Sequence, residues 1–138
     1  VQLLEDNLAA PMATLAAPIR TREALEDPAC VKVVIGRDGR AVYFSRSAIP
    51  HPRTWDDALL TADPPNFFQH LGVYAFRRDL LLRLSQTPAG RWEQLESLEQ
   101  LRVLENGDAI MVGVIQEATR GIDTPADYAE FVARRKAG

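Results

Sequence analysis

The chain has 138 residues, 16 Lys and Arg against 19 Asp and Glu, and a net charge of −3. That length allows one domain, and 46% hydrophobic with 25% charged residues is the balance of a globular chain with material for a core, which excludes a disordered one. No apolar run approaches the ~20 residues that cross a bilayer, and the slightly acidic balance, with only short basic groups such as Arg77-Arg78 and Arg134-Arg135-Lys136, argues against a nucleic-acid partner.

Val1 to Ala10 reads as the middle or end of an amphipathic helix, with Val1, Leu4 and Leu8 on one stripe and no capping residue ahead of it. That pattern predicts a piece of a longer protein. Met12 to Pro18 is a short apolar run that suits a buried strand, and a helical turn is expected from Arg22 to Leu25, stopped before Pro28. Cys30 to Ile35 and Arg40 to Ser45 are β-rich runs around Gly36-Arg37-Asp38-Gly39, the clearest antiparallel hairpin in the sequence. Ile49 to Pro65 reads as a long loop with one helical turn near Trp55 to Leu59. Gln69 to Phe76 is expected as a strand and Arg78 to Ser85 as a helix. Leu95, Leu98, Leu101 and Leu104 predict one helix from Trp92 to Asn106, stopped at Asn106-Gly107. Ala109 to Ile115 is the last predicted strand. Pro125 to Arg135 is the last predicted helix, capped by Thr124. Alternating strands and helices with one inserted hairpin give an α/β fold with a mixed sheet, from which the hairpin is expected to project and help form a homodimer.

No local pattern is diagnostic alone. The chain has no phosphate-cradling glycine loop, no Gly-x-Ser-x-Gly elbow and no histidine pair at metal-binding spacing. A single cysteine, Cys30, allows neither an intrachain disulfide nor a multi-cysteine zinc site, which fits a reducing compartment. What stands out are polar residues at strand ends and helix starts, where open α/β sheets hold ligands. Arg46, between Ser45 and Ser47 at a strand end, suits a carboxylate or phosphate gripped by two parallel hydrogen bonds, or is a plain surface arginine closing the hairpin. His70 and Tyr74 lie four apart in one strand, on one face of the sheet, as site residues or as a core histidine and a half-buried tyrosine. Glu99 and Gln100 are candidates on the leucine-rich helix, or its solvated face. Asp123 precedes the Thr124-Pro125 cap, where a carboxylate suits Mg²⁺ or only the helix dipole.

Taken together, Phe44-Ser45-Arg46-Ser47-Ala48-Ile49-Pro50, His70-Leu71-Gly72-Val73-Tyr74, Leu98-Glu99-Gln100-Leu101-Arg102 and Gly121-Ile122-Asp123-Thr124-Pro125-Ala126-Asp127 resemble the carboxyl-terminal part of the CMP-Kdo synthetases, the 3-deoxy-manno-octulosonate cytidylyltransferases. The four segments stand in the family's order at comparable spacing. The resemblance runs from Met12-Ala13-Thr14-Leu15 to the last predicted helix. It implies a partial Rossmann-like sheet of the nucleotide-diphospho-sugar transferase type. It also implies a cytoplasmic homodimer that joins CTP and the acid sugar Kdo into CMP-Kdo and pyrophosphate for lipopolysaccharide. By the same resemblance, Arg46 holds the Kdo carboxylate, His70 and Tyr74 contact the sugar, Glu99 and Gln100 bind its hydroxyls, and Asp123 is a magnesium ligand. The family's glycine-rich CTP loop and second metal-binding aspartate have no counterpart in residues 1–138, so the chain is expected to be the sugar-binding portion and inactive alone. Two other readings stay open: a sialic acid type of cytidylyltransferase, and a non-catalytic dimerisation module built on the hairpin.

Overall fold

The computed structural model describes residues 1–116. Asp123 and the predicted helix from Pro125 to Arg135 lie outside the described residues. Five strands, β1 (Met12–Pro18), β2 (Lys32–Ile35), β3 (Ala41–Ser45), β4 (Phe68–Phe76) and β5 (Ile110–Val114), form one sheet in the order β3-β2-β4-β1-β5. β1 runs antiparallel to β4 and parallel to β5, so the sheet is mixed, as expected. Among the described residues six helices accompany it: α1 (Gln2–Asp6), α2 (Arg22–Glu26), α3 (Ala58–Thr61), α4 (Arg78–Gln86), α5 (Arg91–Glu96) and α6 (Leu101–Glu105).

β1 reads as a continuous apolar run because both of its faces are covered. Met12 and Ala16 enter the main core with Ile110, Val112, Phe44, Leu80 and Leu101, while Ala13 turns to the opposite face with Met111, Leu4 and Ala10. A further cluster of Ile19, Leu25, Cys30, Leu60 and Phe67 lies under the long loop, where Trp55 stacks on Phe67 and carries the Arg22 guanidinium 4.9 Å from its ring centre.

Three expectations are revised. The predicted helix over Val1 to Ala10 is shorter, ending at Asp6 with Asn7 as its cap. The hairpin does not stand away from the sheet. Its turn, with Gly39 at φ +79°, curls back so that the Gly39 carbonyl accepts from Val112 N at 2.9 Å and Arg40 bridges Met111. The edge carrying β3 thereby meets β5, and the sheet rolls toward closure. The predicted helix from Trp92 to Asn106 is broken in two. Ser97 adopts the left-handed conformation (φ 53°, ψ 50°), ends α5, and leads through a turn into α6.

Candidate functional site

His70 and Tyr74 are brought together by an irregularity in β4. Four residues of regular strand span about 13 Å, yet their ring centres are 5.3 Å apart. Along β1, Thr14 pairs with Tyr74 and Ala16 with His70, so β4 spends four residues where β1 spends two. The surplus is a bulge in which Gly72 takes φ +66°, a conformation that glycine adopts without steric cost. His70 is buried between Phe44, whose ring centre lies 4.9 Å from its own at a steep interplanar angle, and Tyr74, and its Nε2 lies 2.8 Å from Thr14 Oγ1. Burial pushes its pKa down to about 4, so the imidazole is neutral at physiological pH. Tyr74 is pushed up to about 12, by burial first and then by the Glu99 carboxylate, and remains a neutral phenol.

The Tyr74 hydroxyl donates to Gln100 Oε1 at 3.3 Å. Gln100 is buried at the start of α6, while its neighbour Glu99 is exposed. Tyr74, Glu99 and Gln100, with Ser85 and Arg102, form the polar wall of a cavity of about 440 Å³ whose apolar wall includes Met12, Phe76 and Leu84. Convergent polar groups over an apolar floor are the usual composition of a small-ligand site. The break at Ser97 places the pair there, since it swings the turn before α6 toward β4. Glu93, on α5, and Arg102, on α6, lock the two helices with a two-pronged ion pair, and Arg102 also donates to the Leu84 and Thr87 carbonyls.

Arg46 sits at the end of β3, as the sequence suggests, but its guanidinium is already engaged. Nε donates to the Glu96 carbonyl at 2.8 Å, and the two terminal nitrogens donate to Pro28 and Ser97 carbonyls at 3.1 and 3.3 Å. A cation at the carbonyl end of a helix is favourable, so Arg46 fastens β3 to the end of α5. Glu96 returns the contact, accepting from Ser45 Oγ at 2.7 Å and from Arg46 N at 3.0 Å. Three of the five guanidinium hydrogens are spent and two remain for a ligand.

The five described candidates therefore lie along one line. Arg46 touches Ser97, the turn from Ser97 carries Glu99 and Gln100, Gln100 holds Tyr74, and Tyr74 flanks His70. Sequence reasoning missed Thr14, Glu96 and Ser97. Thr14 had a signal, being the lone hydroxyl in an apolar strand, whereas Glu96 and Ser97 look like any polar helical residues.

Residues 1–110 match the family described as Cytidylyltransferase. The chain is 51% identical over 134 residues to the 3-deoxy-manno-octulosonate cytidylyltransferase of Rhodopirellula baltica, covering 96% of this chain and 54% of that protein. It is 43% identical over 126 residues to the protein of the same name from Escherichia coli, covering 91% and 48%. The chain spans about half the length of the curated relatives it matches. Among solved structures, that of CMP:2-keto-3-deoxy-manno-octonic acid synthetase complexed with CTP superposes with a TM-score of 0.84 at 38% identity, over 99% of this chain and 53% of that one. The family match spans most of the sequence, and the chain belongs to the cytidylyltransferase family.

Proposed function

We propose that residues 1–138 form the sugar-binding portion of a CMP-Kdo synthetase, which transfers CMP from CTP to Kdo and releases pyrophosphate. The observation that carries this reading is the placing of Tyr74, Glu99 and Gln100 on the 440 Å³ cavity, continued beyond its lining to His70 through Tyr74 and to Arg46 through Ser97. It offers each chemical feature of an acid sugar a partner. The two remaining guanidinium hydrogens of Arg46 suit the carboxylate, and the Glu99 carboxylate and the Gln100 amide suit hydroxyls. The apolar wall excludes water from the sugar's carbon face. In this role the chain's residues bind and orient the sugar so that its anomeric hydroxyl faces the α-phosphate of CTP, chemistry dominated by positioning.

Magnesium, which would neutralise the phosphate charge, is proposed with Asp123 as a ligand. Among the described residues no group of three His, Cys, Asp or Glu side chains could hold a metal ion, and Asp123 lies outside those residues. Among the described residues no helix is long and apolar enough to cross a membrane. A cytoplasmic location and a homodimer paired through the β2–β3 hairpin, where Val42 is exposed on the edge strand, belong to the same proposal.

The test is substrate choice. A complete enzyme carrying this chain, given CTP and magnesium, should release pyrophosphate with Kdo and not with sialic acid. Release with sialic acid instead would assign the site to the other acid sugar, and release with neither would leave a binding module.

A further inference from the structure

Thr14 is the lone hydroxyl on β1, is buried, and makes two contacts through one oxygen: 2.7 Å to the Val73 carbonyl and 2.8 Å to His70 Nε2. A hydroxyl has a single proton, and a carbonyl can only accept. At 2.7 Å that proton lies on the Val73 contact, since the opposite arrangement would press two bare oxygens together. What Thr14 offers the imidazole is therefore a lone pair, which Nε2 meets as a donor. A neutral imidazole with its proton on Nε2 has a bare lone pair on Nδ1. Among the described residues nothing donates to Nδ1, and no buried side-chain nitrogen or oxygen lacks a partner, so Nδ1 keeps contact with solvent. The Val73 carbonyl is within reach of Thr14 because it belongs to the bulge at Gly72.

We propose that Thr14 is a positioning residue: by spending its proton on Val73 it fixes His70 as the Nε2–H tautomer and leaves Nδ1 as the acceptor offered to a substrate hydroxyl. The proposal rests on the acid-sugar reading for the identity of that substrate, and on geometry alone for the tautomer.

The two parts are tested separately. The chain has two histidines, His51 is exposed, and the imidazole nitrogens of His70 can be assigned by nitrogen NMR of labelled protein. At neutral pH Nε2 should resonate as a protonated nitrogen and Nδ1 as a bare one. The reverse pattern, or two exchange-averaged nitrogens, overturns the proposal. Thr14→Val keeps the side-chain shape without the hydroxyl and should move both nitrogens toward an average, while Thr14→Ser should restore the split. Should Thr14→Val fail to fold, the wild-type and Thr14→Ser spectra decide the matter. In a complete enzyme carrying this chain, Thr14→Val should raise KM for Kdo about tenfold, the equivalent of one lost hydrogen bond, with KM for CTP unchanged. A fixed tautomer with an unchanged KM for Kdo would refute Kdo as the ligand and leave the tautomer assignment standing. An unfixed tautomer would refute the role of Thr14 whatever the kinetics.

Discussion

His70 shows how burial converts a residue type into a chemical state. Its pKa of about 4 in the folded chain contrasts with about 6.5 in the unfolded one. Below pH 6.5 the unfolded chain takes up a proton that the folded chain refuses, so this histidine's contribution to stability is complete above 6.5 and is lost as pH falls toward 4. The full difference corresponds to about 3 kcal/mol. His70→Gln, which keeps a donor for Thr14 and cannot titrate, should flatten that part of the urea-stability profile between pH 6.5 and 4. Parallel profiles for the two proteins would mean that His70 is protonated in the folded chain. The residue types of the site were legible in the sequence, but the state of each was not. Arg46 reads as a free hand at a strand end because the carbonyls that occupy it come from Pro28, Glu96 and Ser97, distant in sequence and silent in any local pattern.

At the scale of elements, β1 was legible to the residue because an apolar run closed by proline has one good solution in a sheet covered on both faces. The helix from Trp92 to Asn106 was misread because four leucines at a spacing of three do not make a stripe. Each step of three turns about 300° around the axis, so the row drifts about 60° per leucine. The chain resolves that drift by breaking at Ser97, which leaves Leu95 exposed and buries Leu98 and Leu101. β4 was also placed correctly as a strand, but its bulge was not foreseen, although Gly72 marks it. That glycine gives a clean test, because a Cβ added there would meet nothing within 4 Å and only the positive φ of +66° opposes it. Gly72→Ala should therefore cost about 1 kcal/mol in urea unfolding. A neutral or stabilising alanine would show that the bulge relaxes to an ordinary strand, and the separation of His70 from Tyr74 would then widen.

Over the whole molecule, the mixed sheet follows from the alternation of strands and helices, whereas its closure through Gly39 and Val112 rests on backbone groups that carry no side-chain signature. The same is true of the contact that ties the main core to the cluster under the long loop. Lys32, in β2, is fully buried, and its Nζ donates to the carbonyls of Asp27 at 2.9 Å, Cys30 at 2.5 Å and Arg46. Those carbonyls belong to the end of α2, the entry to β2 and the exit from β3, so one ammonium joins three segments. Burial lowers the lysine's pKa, and the Cys30 and Asp27 side chains partly offset that shift. Two effects oppose each other in Lys32→Met, which keeps the length of the stem. Removing a buried cation recovers its desolvation cost, a gain that favours methionine. The Asp27 carbonyl keeps the Cys30 N–H, at 3.1 Å, but the Cys30 and Arg46 carbonyls lose their donor, and each buried acceptor left unpaired costs about 1 to 3 kcal/mol. At the middle of that range the two come to about 4 kcal/mol, of which the recovered desolvation offsets about half. Lys32→Met should thus unfold about 2 kcal/mol more easily, lowering Tm by roughly 7 °C for a chain of this size. Calorimetry that found the variant as stable as the wild type would place water on those carbonyls and make the lysine replaceable. A loss of the expected size, together with a Trp55 fluorescence transition that precedes the global one, would show that Lys32 couples the loop cluster to the sheet.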